Sequence, residues 1–161
     1  MTGPTISALP SEEAVLALSL GHRLGWAALS TAGTITSGRM SVVAASDERP
    51  GLRFLRLRAW LTQAKAAAGG LRAVVFDEAT GPQALAEAHA YGGLVATVTA
   101  WCEHHRIAYE AASVGAWKWS LTGQAHASTA DLIATLRGIG YAPATAEEAK
   151  ALGMLLWQVS R

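Results

Sequence analysis

The stretch that most constrains the fold is AVLALSL, residues 14–20, which carries no charge and little alternation of polar and apolar positions. A strand that is apolar on both sides needs a covering layer on both sides. The run therefore predicts the middle of a sheet held between helices. Gly21 and Gly25 flank a tight turn, and residues 24–30 read as a second strand. Thr31-Ala32-Gly33 turns the chain into a third, residues 34–43, whose Thr, Ile and Val residues favour the extended state. Three strands joined by short turns predict an antiparallel meander.

Pro50 and Gly51 open a helical segment to about residue 68, with Leu52, Leu55, Trp60 and Leu61 read as its buried side and Gly69-Gly70 as its stop. LRAVVF, residues 71–76, reads as a fourth strand, residues 84–105 as a long helix, and residues 107–111 as a fifth strand. VGAWKWSLTGQAH, residues 114–126, reads as a polar, glycine-bearing connection. Helices over 128–139 and 145–158 each open on a capping pattern, Ser128-x-x-Asp131 and Thr145-x-x-Glu148. The order β-β-β-α-β-α-β-α-α predicts an α/β fold with a mixed five-stranded sheet and helices on both faces, the ribonuclease-H-like arrangement. Residues 1–13, with their Pro, Gly, Ser and Thr, read as a loose leader, and 14–161 as one domain. At 51% hydrophobic, a chain of 161 residues supports one core.

No apolar run approaches the roughly 20 residues needed to span a bilayer, and residues 1–13 lack the basic-then-apolar pattern of a secretory signal. The single Cys102 cannot form an intramolecular disulfide and reads as a small buried hydrophobe. The expectation is a soluble cytoplasmic protein without a membrane partner. A net charge of +1 excludes no class of partner. Its distribution says more: Arg49, Arg53, Arg56, Arg58, Lys65 and Arg72 follow one another with no acid between them. Such a cluster suits DNA phosphates or a solvated helix face equally well.

Four segments in order resemble the RuvC-type Holliday-junction resolvases, the phage-type ones in particular. LALSLGHRLGWA (residues 16–27) is similar to their first-strand motif, and AVVFDEA (73–79) to the strand that ends in a catalytic Glu. AHAYGGLVATVTAWCEHH (88–105) resembles their long second helix. HASTADLIATLRGIGYAP (126–143) followed by EEAKALGMLLW (147–157) resembles the ending that supplies the last carboxylates. The resemblance implies a homodimer that acts on four-way DNA junctions with magnesium. That chemistry uses carboxylates because two divalent cations, roughly 4 Å apart, activate water and stabilise the leaving oxygen.

The carboxylate pattern is largely replaced. Ser19 stands where the resemblance calls for the first Asp, and Asp77, with Glu78 beside it, where it calls for Glu. Glu147 falls at the penultimate ligand position and Lys150 at the final Asp. A hydroxyl is a poor substitute for a bridging carboxylate, and an ammonium repels a cation. No strong two-metal site and no cofactor are expected. Asp77, Glu78 and Glu147 form the fallback set for a single magnesium. The resemblance also implies DNA contacts at Lys118, a retained basic position, whereas Thr129 replaces a lysine. Trp117 and Trp119 flank Lys118 and suit either base stacking or a core and surface pair. Tyr91, Gly92 and Gly93 mark the middle of the helix that would form the dimer interface.

His22, just past the first strand, is a further candidate to face the site, while His104 and His105 suit a helix C-terminus. Trp26, Trp60, Trp101 and Trp157 are expected in the core or the dimer interface. The leading expectation is a RuvC-like protein that binds branched DNA as a homodimer through Arg49, Arg53, Arg56, Lys118, Trp117 and Trp119, with no catalysis or nearly none. One alternative is a metal-dependent junction endonuclease with a rearranged active site. The other is an interaction protein that keeps only fold and dimer.

Overall fold

The computed structural model describes residues 14–21, 23–42 and 47–161; the expected leader and His22 lie outside them. Five strands form one sheet: β1 Val15–Ser19, β2 Arg23–Leu29, β3 Ile35–Ser41, β4 Ala73–Asp77 and β5 Ala108–Ala112, in the order β3-β2-β1-β4-β5. The antiparallel meander is borne out, with β1 paired antiparallel to β2 and β2 to β3. On the other side β1 runs parallel to β4, and β4 to β5. Every residue of β1 is buried, as a central strand of a three-layer fold requires.

Side-chain alternation along the strands divides the core in two. Leu16, Leu18, Val74 and Phe76 face α1 (Leu52–Ala67) and α2 (Leu85–His105), where Leu57, Leu61, Leu94, Val98 and Trp101 meet them. Val15, Ala17, Val75 and Ala112 face α3 (Val114–Thr122), α4 (Thr129–Gly138) and α5 (Ala146–Val159), against Trp117, Leu132, Leu136, Leu152 and Leu155. Helices therefore cover both faces, as expected. Cys102 is fully buried, and burial pushes its thiol up to about 12, so it behaves as a hydrophobe.

Two readings need correction. The stretch expected to be a polar connection is the helix α3: Val114, Trp117 and Leu121 recur at helical spacing and pack on the α5 side of the core, and Gly123 ends the helix at φ 76°. The buried side of α1 is also different. Leu57 and Leu61 are fully buried, while Leu52 and Leu55 are 37% and 61% exposed and Trp60 is half-buried. Among the other tryptophans, Trp101 is buried, with its indole N–H donating to Thr62 Oγ1 at 3.1 Å, and Trp26 and Trp157 are half-buried.

Packing of α5 sets the position of everything at one end of the sheet. Its first turn lies directly on β2: a Cβ added at Gly25 would sit 2.0 Å from the Glu147 carbonyl oxygen. Higher up, Gly153 leaves room for the indole of Trp117, 2.7 Å from where its Cβ would be. Thr145 Oγ1 accepts from the Glu148 amide, the N-terminal cap expected from the sequence. The Glu148 carboxylate goes elsewhere than a standard capping box: it is buried, and accepts from the Ala144 amide at 2.8 Å and from Ser37 Oγ of β3 at 2.8 Å. Helix α5 is thus bonded across the meander as well as packed on it. Gly25→Ala forces backbone against backbone and is expected to cost at least the roughly 1–3 kcal/mol typical of overpacking. Urea unfolding of the variant and the parent measures it.

Candidate functional site at one end of the sheet

β1 and β4 are parallel and end side by side, and the two-residue period puts Ser19 and Asp77 on the face covered by α3 and α5. The Ser19 hydroxyl donates to Asp77 Oδ2 at 3.1 Å, and the Leu20 amide donates to Asp77 Oδ1 at 2.8 Å. Tyr91 of α2 donates its hydroxyl to the Asp77 carbonyl at 2.6 Å, fixing the strand end from the other face. Glu78 turns outward and accepts from the Val114 amide at 3.3 Å, at the start of α3. Leu20, Asp77, Glu78, Tyr91 and Val114 line a cavity of about 250 Å³, to which Trp117, Lys118 and Lys150 also contribute, with Ser19 behind Asp77 and outside the lining.

Burial pushes the Asp77 carboxyl above its ordinary value; the Leu20 amide, the Ser19 hydroxyl and the Lys150 ammonium pull it part of the way back. Lys150 reaches Asp77 through space rather than by contact. Among the described residues Lys150 makes no hydrogen bond and no ion pair within 4 Å, although helix and strand converge. Lys118 donates to the Ala127 carbonyl at 3.0 Å.

Glu147 does not line the cavity. Its backbone sits over Gly25, and its side chain is half-buried at the start of α5. Among the described residues no group of three or more His, Cys, Asp or Glu side chains is placed to hold a metal ion, so Asp77, Glu78 and Glu147 do not form the fallback set. Both Asp77 oxygens are already engaged by donors, and a lysine shares the cavity. These residues do not fit the magnesium pair that the family resemblance implies.

The expected DNA contacts fare unevenly. Arg49 is exposed. Arg53 is half-buried over the Phe54 ring at 5.9 Å, its Nε enclosed without a partner. Arg56 is ion-paired with Glu48, an acid just outside the acid-free stretch, and so is a neutralised cation. Trp117 is 1% exposed and cannot stack on a base, whereas Trp119 is 65% exposed. Two cations were missed. Arg39 lies opposite Gly25 in the β2–β3 ladder and Arg23 opposite Ser41, so both belong to the face and end that hold the cavity, and both are exposed. The register of the meander locates them, and it is not legible before strand pairing is known.

Helix α1 begins at this same end, because β3 finishes there, and its far end is bonded at the other, where the Thr31 amide donates to the Ala68 carbonyl. Arg49 and Arg53 therefore stand near the cavity end of the sheet, and Lys65 toward the opposite end.

Asp77 links the site to stability. A carboxyl whose folded pKa lies above its unfolded value of about 3.9 is most favourable to folding while protonated. Its contribution is lost as pH rises through the folded pKa. Asp77→Asn keeps an acceptor for Leu20 and a group for Ser19 without the buried charge. Its thermal midpoint is expected above that of the parent at pH 7, with the gap closing as pH falls toward about 4; calorimetry across that range checks it.

No protein-family model matches the chain, and no curated protein matches it in sequence. Its structure is similar to that of Thermus thermophilus RuvC, with a TM-score of 0.76 at 19% identity, covering 91% of this chain and 93% of that one. It is equally similar to T. thermophilus RuvC in complex with a Holliday junction substrate, with a TM-score of 0.76, 20% identity and the same coverage. The chain has the RuvC-type, ribonuclease-H-like fold.

Proposed function

We propose that this chain binds branched DNA of the Holliday-junction kind as a homodimer and does not cleave it. The observation that carries the reading is the charge at the cavity end of the sheet. Lys118 and Lys150 share the cavity, exposed Arg23 and Arg39 lie on the same face, and Arg49 stands at the start of α1. Carboxylates that would gather two magnesium ions are not assembled there. The similarity to a RuvC structure that holds a Holliday junction supports the choice of DNA. No described helix is long and apolar enough to cross a membrane, and the reading places the protein in the cytoplasm, where DNA is reached. The nuclease alternative is disfavoured by the position of Glu147, and the pure interaction alternative by the gathered cations.

The reading is tested with a labelled four-way junction and a duplex of matching sequence, with magnesium and with EDTA. Expected are tighter binding of the junction, no nicks under either condition, and a linear fall of log affinity with log salt. Removing Arg23, Arg39 and Arg49 together is expected to flatten that slope by about 0.9 for each duplex phosphate that is no longer neutralised. Magnesium-dependent symmetric nicking would establish the nuclease instead, and absence of binding at low salt the interaction protein.

Dimerisation is assigned to the outward side of α2, where Leu85, His89, Gly92, Ala96 and Ala100 are exposed and uncharged apart from the histidine. The two central glycines differ. A Cβ at Gly93 would strike Phe54 of the same chain at 2.4 Å, so this glycine serves the packing of α1 on α2. At Gly92 nothing lies within 4 Å, so a larger side chain there meets only what docks from outside. Gly92→Leu is expected to give a folded monomer by sedimentation, against a dimeric parent. An unchanged sedimentation coefficient would move the interface elsewhere.

A further inference from the structure

We propose that the Asp77–Lys150 cavity is a metal-independent seat for a phosphate group, with the Lys150 ammonium supplying the positive charge. Assigning that phosphate to a DNA strand rests on the DNA-binding reading above; the seat itself does not. The polar groups around the cavity divide into satisfied and unsatisfied ones. Asp77 is engaged by Ser19 and Leu20, and Glu78 by the Val114 amide. Lys118 spends one hydrogen on Ala127 and keeps two, since an ammonium has three donors. Lys150 makes no hydrogen bond and no ion pair within 4 Å among the described residues. Trp117 also borders the cavity, but its unpartnered indole N–H is buried within the fold and is not counted among the donors open to it.

The open donors at the cavity are therefore the two ammonium groups of Lys118 and Lys150, against one free carboxylate oxygen of Glu78. Such a set suits an anion with several acceptor oxygens, which a phosphate group is. The Asp77 oxygens are already taken by the Ser19 hydroxyl and the Leu20 amide, so the carboxylate does not present a bare pair of oxygens to the anion. The cavity, about 250 Å³, accommodates a tetrahedral anion with its ester links directed outward. The exposed Arg23 and Arg39 on the same sheet face provide for the flanking phosphates of a strand, which favours a backbone phosphodiester over a free phosphate.

The test uses the full chain and two probes, labelled four-way junction and inorganic phosphate. Lys150→Ala is expected to weaken junction binding about tenfold, equally in EDTA and in magnesium, while Lys150→Arg stays near the parent. Lys65→Ala, at the opposite end of the sheet, serves as the control for general charge loss and is expected to remain within about twofold. In NMR titrations inorganic phosphate is expected to shift the Trp117 indole and Leu20 amide resonances in the parent and not in Lys150→Ala. Junction binding that is unchanged in Lys150→Ala, or that falls no further than in Lys65→Ala, would overturn the DNA seat. A Lys150-dependent phosphate shift in a chain that binds no junction would keep the seat, reassign it to free phosphate and sink the DNA reading. No shift in the parent with either probe overturns the proposal outright.

Discussion

The approach of α5 to β2 is the contact on which the remainder of the site depends. A helix can lie with its first carbonyls on a strand only where the strand has no side chain, and Gly25 provides that place. Ala17 and Ala27 on the sheet, with Ala149 and Gly153 on the helix, keep the surface low along the rest of the crossing. Glu148 then fastens the helix start. Its buried carboxylate is acceptable because the Ser37 hydroxyl and the Ala144 amide occupy its oxygens. Lys150 follows two residues later, so the geometry that seats Glu147 over Gly25 also delivers an ammonium to the end of β4.

Chemistry at that end turns on which charges face one another. In a two-metal site several carboxylates repel until cations arrive, and the cations in turn activate water. Here Ser19 gives Asp77 a hydroxyl proton to accept, the Leu20 amide takes its other oxygen, and Lys150 adds positive charge from α5. One acid surrounded by donors does not require a metal to be stable. The same arrangement leaves positive charge facing the cavity, which suits the recognition of phosphate without its hydrolysis. On the proposed reading affinity and catalysis separate: the first needs only cations along a strand's path, the second needs ligands converging within a few ångströms.

Much of the architecture was legible. The uninterrupted apolar run of β1 marks a strand covered on both sides, because an exposed face would have called for polar residues at every second position. Short glycine-bearing turns predict the meander, and both capping patterns sit where helices begin. Helix α3 was hidden because nine residues give only about two and a half turns of periodicity, and its glycine and lysine dilute the signal carried by Val114, Trp117 and Leu121. The buried side of α1 was misread for a related reason. Leu52, Leu55, Leu57 and Leu61 are all apolar, and only the position of α2, set by Phe54 against Gly93, selects Leu57 and Leu61 for the core.

By itself the sequence determined the five strands, four of the five helices, the central strand and the chemical identity of the groups near the site, Ser19, Asp77 and Lys150 among them. Those are properties of local composition and period, and they survive without knowledge of neighbours. Tertiary structure alone decided which groups meet. It withdrew Trp117 into the core, paired Arg56 with Glu48, turned Glu147 away from the cavity, and brought Arg23 and Arg39 to its end of the sheet. The physical reason is range. A hydrogen bond or ion pair acts over a few ångströms, and residues 58 positions apart, such as Ser19 and Asp77, come that close only through strand register and helix packing.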